Sequence, residues 1–291
     1  MNSASDQPLT PISSKHEVPF FPDPLVQPFQ LRRRLTGKTV LITGASYGVG
    51  ESLVERLAGM GAHLLLVART EDKLIEVKKK VEAEGGRADI FPCDLSNPVA
   101  VQALLEQLLR LPNGIDLLVS NAGKSIRRSI FDSLDRLHDF SRTMNLNYFG
   151  PVQLLLGLIP TLVARQGHAI NISTGNAIVL PAPKWAAYDA SKAAFDHWFR
   201  SVGLELNARG VATTSIYLPL VRTRMSEPTE HLRRFPAMQP SQAAQLICRA
   251  INSRRRWYKP WWLWPAELGS VLLRWPFEVV ATWYLRRQLR G

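Results

Sequence analysis

The sequence passes from a short apolar run, residues 39–42, into Thr43-Gly44-Ala45-Ser46-Tyr47-Gly48-Val49-Gly50, and then into a helical pattern over residues 51–59. A dinucleotide pyrophosphate needs a close approach of the backbone and free amide groups at a helix N-terminus, and side chains at the three glycines would obstruct both. The stretch therefore predicts a strand, a dinucleotide-binding turn and a helix. A glycine-rich turn without a ligand is the alternative that this stretch alone leaves open. The residues predicted to lie beside the cofactor are Gly44, Ser46, Tyr47, Gly48, Val49 and Gly50.

Short apolar runs alternate with longer helical patterns along the chain, at residues 39–42, 63–67, 88–91, 116–119, 168–172 and 213–217. The runs are β-branched or leucine-rich and nearly continuous, which is typical of strands buried on both faces. Repeated strand–helix units predict a parallel sheet that helices cover on both sides. The predicted fold class is therefore α/β, a Rossmann-type doubly wound parallel sheet in a single domain.

Three segments of the chain differ in composition. Residues 1–36 are rich in proline and lack periodicity, which predicts an N-terminal arm rather than a folding unit, whereas residues 37–253 carry the strand–helix repeats of the predicted domain. Residues 254–291 form a tail that holds eight Arg and Lys against two Glu, half of the net charge of +12. Basic charge gathered in one tail, without a nucleic-acid-binding signature, argues against a nucleic-acid partner.

The two cysteines, Cys93 and Cys248, lie far apart and lack metal-ligand spacing. They predict neither a disulfide framework nor a metal site, and they fit a reducing compartment. The N-terminal residues contain no apolar signal core, and no run of eighteen uncharged apolar residues follows them. We therefore expect a cytoplasmic protein.

The end of the second predicted strand indicates which dinucleotide binds. An acidic residue at this position accepts a hydrogen bond from a ribose hydroxyl and repels a 2′-phosphate, but the sequence has Ala68 followed by Arg69. A guanidinium can pair with the phosphate through a fork of donors, so NADPH is favoured over NADH. A solvated arginine at a strand end is the alternative.

Further polar motifs follow in order along the chain. They are Asp94-Leu95 after the third run, Asn121-Ala122-Gly123 after the fourth, Asn147 in a helical pattern, Ser173-Thr174 after the fifth run, and Tyr188-Asp189-Ala190-Ser191-Lys192. A Tyr-x-x-x-Lys match alone can arise by chance, but the whole ordered series is specific. Together with the glycine-rich turn, the series resembles the short-chain dehydrogenase/reductase family over about residues 37–251.

This resemblance implies a role for each motif. Tyr188 would be the general acid toward a substrate carbonyl, and Lys192 would lower the pKa of Tyr188 and hold the cofactor ribose. The two residues are four apart, so they share one helix face, and a nearby ammonium stabilises a phenolate. Asn147 would support a proton-relay water. Asp94-Leu95 would contact the adenine, and Asn121-Ala122-Gly123 would form the cofactor floor.

The residue that polarises the carbonyl is less clearly placed. The family has a serine thirteen residues before the tyrosine, and this sequence has Gly175 there. Aligning residues 169–172 as a strand puts Thr174 at the serine position, with one residue inserted in the following loop. Thr174 is therefore the favoured candidate and Ser173 the alternative, while a third interpretation makes both residues caps of a turn.

A second departure follows the sixth run, where the common Pro-Gly of the family is Pro219-Leu220. In the family this segment faces the nicotinamide carboxamide and begins the substrate lid. The resemblance therefore implies cofactor contacts for Pro219, Val221 and Thr223.

Residues 120–129 and 218–223 look most like the family members that reduce fatty acyl-CoA or long-chain aldehydes, and 3-ketosphinganine reductases share that chemistry. The resemblance thus implies an NADPH-dependent reductase of a hydrophobic, long-chain carbonyl. One alternative is a dehydrogenase of steroid-like or other hydrophobic alcohols. Another is a membrane-associated NADPH-binding protein without turnover, because a fold can persist without its chemistry.

Six of the eight tryptophans lie in the tail, interleaved with arginines and apolar residues. Indole rings and basic side chains suit a segment lying in the interface at the inner face of a membrane. Spanning is not expected, because Arg274, Pro276 and Glu278 interrupt the long apolar run. Alternatively, residues 257–262 form a last strand and the rest of the tail packs over the substrate cleft or against a partner in a homo-oligomer.

Overall fold

The computed structural model describes residues 26–227, 229 and 234–288, which alternate strands with helices. The strands are β1 (Thr39–Thr43), β2 (His63–Ala68), β3 (Arg87–Pro92), β4 (Leu117–Ser120), β5 (His168–Thr174), β6 (Ala212–Leu218) and β7 (Trp257–Tyr258). The helices are α1 (Pro28–Leu35), α2 (Gly48–Leu57), α3 (Glu71–Ala83), α4 (Pro98–Leu109), α5 (Leu137–Met144), α6 (Gly150–Ala164), α7 (Ala186–Ala208), α8 (Pro240–Ser253), α9 (Leu263–Leu272) and α10 (Arg274–Gln288). The first six strands match the six predicted runs to within two residues.

The strands form one parallel sheet in the order β3-β2-β1-β4-β5-β6-β7. The strand order reverses between β1 and β4, which lie side by side although two strands separate them in the chain. Ligands of doubly wound sheets bind at such a switch point, in the crevice beyond the carboxyl ends of the strands. The predicted Rossmann-type doubly wound fold is confirmed.

Two apolar cores cover the two faces of the sheet. Successive β1 residues point to opposite faces, so Val40 and Ile42 join the core beneath α1, α2, α3 and α8, and Leu41 joins the core beneath α4, α6 and α7. Both cores are closely filled, and all three β1 side chains have no solvent exposure. The sheet therefore holds the carboxyl ends of its strands on a rigid base.

The predicted N-terminal arm ends earlier than residue 36. Helix α1 begins at Pro28, a residue favoured in the first turn of a helix, and buries Leu31 and Leu35 in the core beside α8. The two leucines are four residues apart and share one helix face, a pattern that the intervening arginines obscure in the sequence. The prediction of an arm is therefore wrong for α1. Residues 1–25 lie outside the described residues.

One helical run among the described residues, Leu137–Ala164, is long and apolar enough to cross a membrane. It comprises α5, a π-helical turn at Asn145–Phe149, and α6. Helix α6 buries Leu154, Leu155, Leu158 and Leu162 in the core shared with α4. The run is therefore a core helix of the domain.

The tail begins inside the fold and then leaves it. Strand β7 pairs Trp257 with Ser215 and Tyr258 with Ile216, so it is shorter than the strand considered for residues 257–262. Leu263, at the start of α9, has no solvent exposure. Beyond it, the large apolar residues of the two tail helices are mostly exposed, with Val271 and Trp275 both at 74%.

Candidate active site

The switch point between β1 and β4 is held together by hydrogen bonds. Thr43 Oγ1, at the end of β1, accepts from the backbone amides of Asn121 and Ala122, both at 3.0 Å. Asn121 Nδ2 donates to the carbonyl oxygens of Thr43 at 3.0 Å and Gly44 at 3.3 Å. Asn121 and Ala122 therefore lie beneath the glycine-rich turn and fix where it begins, and a cofactor floor at Asn121-Ala122-Gly123 stays a prediction.

The glycines of the turn lie where side chains do not fit. Gly44 and Gly48 have φ values of +68° and +59°, the left-handed region that favours glycine. A Cβ atom at Gly50 would lie 2.0 Å from the carbonyl oxygen of Gly44. Helix α2 begins after Tyr47 without a side-chain cap, so its first amide groups are available to an anion. This geometry fits a dinucleotide pyrophosphate.

The segment after β6 folds over the glycine-rich turn. A Cβ atom at Gly48 would lie 3.1 Å from Thr223 Cγ2, and the Arg224 guanidinium stacks 5.1 Å from the centre of the Tyr47 ring. Val221 forms an isolated parallel bridge with Met238, which ties this segment to the chain just before α8. Three cofactor contacts are predicted after β6. Thr223 lies against the glycine-rich turn, and Pro219 and Val221 lie between the end of β6 and Thr223.

An acidic residue and two basic residues lie beyond the carboxyl ends of β2 and β3. Burial acts to raise the pKa of Asp94. Hydrogen bonds from the Ser96 hydroxyl at 2.7 Å and the Ser96 amide at 2.9 Å act in the opposite direction, as do the positive charges of Arg69 and Arg142. The pKa of Asp94 therefore lies below its usual value. The predicted cation Arg69 is exposed at the end of β2. Arg142 of α5 is a second cation here that the sequence did not indicate, because its chain position is remote from β2. Leu95 is buried beside Asp94.

Tyr188 and Thr174 meet at the carboxyl end of β5. Burial raises the pKa of Tyr188 to about 12, and the neighbouring Thr174 hydroxyl acts against that rise. Trp185 packs edge-on against the Tyr188 ring, with centroids 5.8 Å apart. At neutral pH the phenol therefore carries its proton, as a general acid must.

Lys192 lies one turn of α7 beyond Tyr188 and is buried. Its Nζ donates to the carbonyl oxygen of Ile172 at 2.9 Å, and burial lowers its pKa to about 8, against the raising effect of the Asp196 carboxylate. The groups that set the pKa of Tyr188 are burial, Thr174 and Asp189. The Ile172 carbonyl oxygen holds the Lys192 ammonium at the end of β5, and the lowering of the Tyr188 pKa by Lys192 stays a prediction.

Ser173 faces the opposite side of β5 from Thr174. It is 4% exposed, and its Oγ points toward the buried Asp196 carboxylate without a hydrogen-bond partner in the part of the chain that the structure describes. Asp196 also accepts from Tyr217 Oη at 3.1 Å and Asn171 Nδ2 at 3.3 Å. Successive strand residues point to opposite faces, so only one of the two hydroxyls lies beside Tyr188. This placement favours Thr174 over Ser173.

Asn147 connects the loop after β4 with α7. It lies in the π-helical turn Asn145–Phe149 and is 1% exposed. Its Nδ2 donates to Ser191 Oγ and to the Lys124 carbonyl oxygen, both at 2.9 Å, and its Oδ1 accepts from the Lys124 amide at 2.8 Å. Single π-turns are frequent at functional sites. Ser191 was not singled out from the sequence, although it lies one helical turn from Tyr188.

Neither cysteine nor any metal cluster contributes to this edge. Burial raises the pKa of Cys93 to about 11 and that of Cys248 to about 12, so both thiols are unreactive at neutral pH. Within residues 26–227, 229 and 234–288, no group of three or more His, Cys, Asp and Glu side chains is placed to hold a metal ion.

The site thus combines a glycine-rich turn that fits a dinucleotide with two hydroxyls and a buried ammonium at the same sheet edge. This arrangement defines an oxidoreductase that exchanges a hydride and a proton with a carbonyl or alcohol. The chain belongs to the short-chain dehydrogenase/reductase family, because the family model described as short chain dehydrogenase matches residues 38–233.

Relatives with assigned names are similar over most of the chain. A fatty acyl-CoA reductase of Acinetobacter baylyi is 47% identical over 224 residues, which cover 77% of this chain and 76% of the relative. A fatty acyl-CoA reductase of Mycobacterium tuberculosis is 40% identical over 232 residues, covering 79% of this chain and 78% of the relative.

Solved structures agree with the fold. A metagenomic short-chain oxidoreductase in complex with NADP is 27% identical, with a TM-score of 0.65, and the match covers 76% of this chain and 92% of that one. A 3-oxoacyl-(acyl-carrier-protein) reductase from Agrobacterium tumefaciens with NADP bound is also 27% identical, with a TM-score of 0.66 and coverages of 74% and 87%.

Proposed function

We propose that the protein is an NADPH-dependent reductase of a long-chain lipid carbonyl, of the fatty acyl-CoA, fatty aldehyde or 3-ketosphinganine type. The observation that carries the reductase chemistry is the pairing of the Thr174 and Tyr188 hydroxyls one helical turn from buried Lys192. The lipid class draws support from the two relatives named fatty acyl-CoA reductases.

Each side chain has a distinct part in the proposed reaction. When bound, the dinucleotide supplies a hydride to the carbonyl carbon. The Tyr188 hydroxyl donates its proton to the carbonyl oxygen, and the Thr174 hydroxyl donates a hydrogen bond to the same oxygen. Lys192, with a pKa of about 8, keeps most of its positive charge at neutral pH and stabilises the phenolate left on Tyr188. An aldehyde or ketone leaves as the alcohol. A thioester becomes a hemithioacetal that releases the thiol as an aldehyde forms.

The substrate assignment is tested by following NADPH oxidation with a panel of carbonyl compounds. The panel contains a sixteen-carbon acyl-CoA, a sixteen-carbon aldehyde, 3-ketosphinganine, a steroid ketone and a short aldehyde. We expect the long-chain lipids to have the highest kcat/KM. Preference for the steroid would favour the alcohol-dehydrogenase alternative. NADPH binding without turnover of any compound would favour a protein that does not catalyse.

The cofactor assignment depends on Arg69, whose exposed guanidinium lies at the end of β2. Arg69→Ala should raise the KM for NADPH about tenfold and leave that for NADH nearly unchanged, because a hydrogen bond to a charged group contributes about 1.5 to 3 kcal/mol. Arg87→Ala, at the start of β3 and far from the carboxyl edge, is the matched control. An enzyme that already prefers NADH would contradict the assignment.

The tail supports a further part of this proposal, peripheral attachment to a membrane containing anionic lipid. Trp264, Trp275 and Trp283 are each more than half exposed on α9 and α10, and Arg286 and Arg287 follow in the last turn. Indole rings lie well at the headgroup boundary, and each basic residue near the surface contributes about 1 kcal/mol.

Vesicle sedimentation tests this attachment. The intact protein should sediment with vesicles containing phosphatidylserine and be released by high salt. Joint replacement of Trp275, Trp283, Arg286 and Arg287 leaves β7 intact and should keep the protein in the supernatant. Equal sedimentation of a folded variant would mean that the tail does not anchor the protein.

A further inference from the structure

An apolar cleft of about 540 Å³ lies between the two tail helices and the loop that follows β5. One wall is Val179 and Leu180, and the other is formed by Gly269, Leu273, Phe277 and Val280 of α9 and α10. Nearly all of its lining atoms are carbon. The cleft is separate from the glycine-rich turn, and the reaction described above assigns it no part.

The wall formed by the loop belongs to the active site. Val179 and Leu180 lie in the chain between Thr174 and Tyr188, so the segment that carries the wall joins the two reacting hydroxyls. Asp189, next to Tyr188, holds this loop in place by accepting hydrogen bonds from Asn176 Nδ2 and the Ala182 amide, both at 3.2 Å. The position of the wall is therefore fixed relative to Tyr188.

The tail helices are also tied to the active site at their start. A Cβ atom at Gly175, the residue after Thr174, would lie 3.4 Å from Leu263 Cδ1 and 3.6 Å from the Trp262 ring. The Trp262 Nε1 donor is buried without a hydrogen-bond partner among the described residues. Lys259 pairs with Glu267 at 2.7 Å and lies 5.4 Å from the centre of the Tyr217 ring, which holds α9 against β6. The start of α9 thus packs against the end of β5, beside the loop that forms the first wall of the cleft.

The volume and the apolar lining of the cleft indicate which kind of ligand fits it. A volume of about 540 Å³ lies within the range of about 300 to 1,000 Å³ typical of small-molecule sites. An almost wholly apolar lining offers no partner for a headgroup, a phosphate or a charged peptide. A bilayer would cover only the exposed outer face of α9 and α10, whereas the space between the loop and the two helices needs an occupant that enters it.

We propose that this cleft binds the alkyl chain of the substrate, so that the tail helices determine which chain lengths the enzyme accepts. The assignment rests on the proposed reduction of a long-chain carbonyl. The polar end of the substrate lies at Thr174 and Tyr188, and its chain follows the loop after β5 into the space between Leu180 and α9.

Gly269 provides the test, because a Cβ atom placed there meets nothing within 4 Å although the residue lines the cleft. Gly269→Leu should fill part of the cleft and leave the helix intact, since leucine favours helices. Each buried methylene changes affinity about fourfold, so exclusion of two should lower kcat/KM for hexadecanal at least about tenfold and leave hexanal within about twofold. Gly269→Ala is the matched control and should lower the hexadecanal value about fourfold or less.

A binding measurement without turnover accompanies the kinetics. The fluorescent eighteen-carbon fatty acid cis-parinaric acid should bind the parent and bind Gly269→Leu about tenfold more weakly, with circular dichroism and NADPH binding unchanged. Equal losses of kcat/KM for both aldehydes, or unchanged parinarate affinity, would overturn the inference. Loss of vesicle sedimentation in Gly269→Leu with an unaltered chain-length pattern would also overturn it, in favour of contact with the bilayer.

Failure of the proposed function has a different signature. If the parent reduces neither aldehyde, the titration with parinarate still tests whether the cleft binds an alkyl chain. Binding that weakens in Gly269→Leu would support an alkyl-chain site on a protein with another activity. Absence of binding to the parent would overturn the site itself.

Discussion

The glycine-rich turn after β1 and the tail helices α9 and α10 differ in how closely the rest of the domain packs around them. At the turn, a Cβ atom on Gly50 would lie 2.0 Å from a backbone oxygen, and Asn121 and Thr43 hold the backbone on the other side. On α9, Gly269 has open space around it, and most large apolar side chains there are exposed.

The difference shows which parts of the molecule the domain itself determines. Contacts with the sheet fix the turn, Tyr188 and Lys192, so their geometry exists before any ligand binds. The domain fixes only the start of the tail, through Lys259 and Leu263. The rest of the tail gains little from the domain, which is why we propose a substrate chain for its cleft and a membrane for its exposed outer face.

The largest expected effect is in the fixed region. Tyr188→Phe should keep the fold and NADPH binding but lower kcat about 10²-fold or more, the range for loss of a general acid. Steady-state kinetics and a cofactor titration measure the two effects. Tyr148→Phe is a control on the neighbouring π-helical turn and should keep normal turnover. Near-normal turnover in Tyr188→Phe would remove Tyr188 from its role.

A pair of glycine substitutions compares the two regions directly. Gly50→Ala should lower the free energy of unfolding by about 3 kcal/mol, because its methyl group overlaps the Gly44 carbonyl. Gly269→Ala should raise it by about 0.5 to 1 kcal/mol, because alanine favours an exposed helix and nothing obstructs it. Denaturant unfolding of both variants measures the difference. The same sign in both variants would contradict the contrast drawn between turn and tail.

The two hydroxyls at the end of β5 give a smaller contrast within the fixed region. Thr174→Val should lower kcat about tenfold, the effect of losing one well-placed hydrogen bond, with little change in melting temperature. Ser173→Ala should leave kcat nearly unchanged, because Ser173 faces Asp196. The reverse ranking would transfer the role to Ser173.

The smallest effect concerns pH. Lys192 has a pKa of about 8, and its charged form exists below that value, so reduction should fall as the pH rises through about 8. Asp196 raises this pKa, so Asp196→Asn should move the fall to lower pH, with a melting curve confirming the fold. Tyr217→Phe removes a hydrogen bond to Asp196 but no charge, and should leave the profile unchanged. An identical profile in Asp196→Asn would mean that Asp196 does not act on Lys192.

The sequence by itself determined the parallel sheet and six of its strands, and it predicted most of the candidate site residues. Those signals are local: the spacing of Gly44, Gly48 and Gly50 meets a requirement of the backbone, and Tyr188 and Lys192 share a helix face by their separation alone. Continuous apolar runs predicted six strands because a strand buried on both faces has no polar side.

Only the tertiary structure decided matters that depend on which groups meet across the fold. Thr174 and Ser173 are chemically equivalent neighbours, and the register of β5 places one beside Tyr188 and the other toward Asp196. Arg142 affects the site through space, and no spacing in the chain reveals it, whereas Asp196 lies four residues after Lys192 on α7 and shares its helix face. Helix α1 joins the core because α8 covers Leu31 and Leu35, and the cleft exists because α9 returns to Gly175. Such contacts form between distant segments, so local sequence patterns do not encode them.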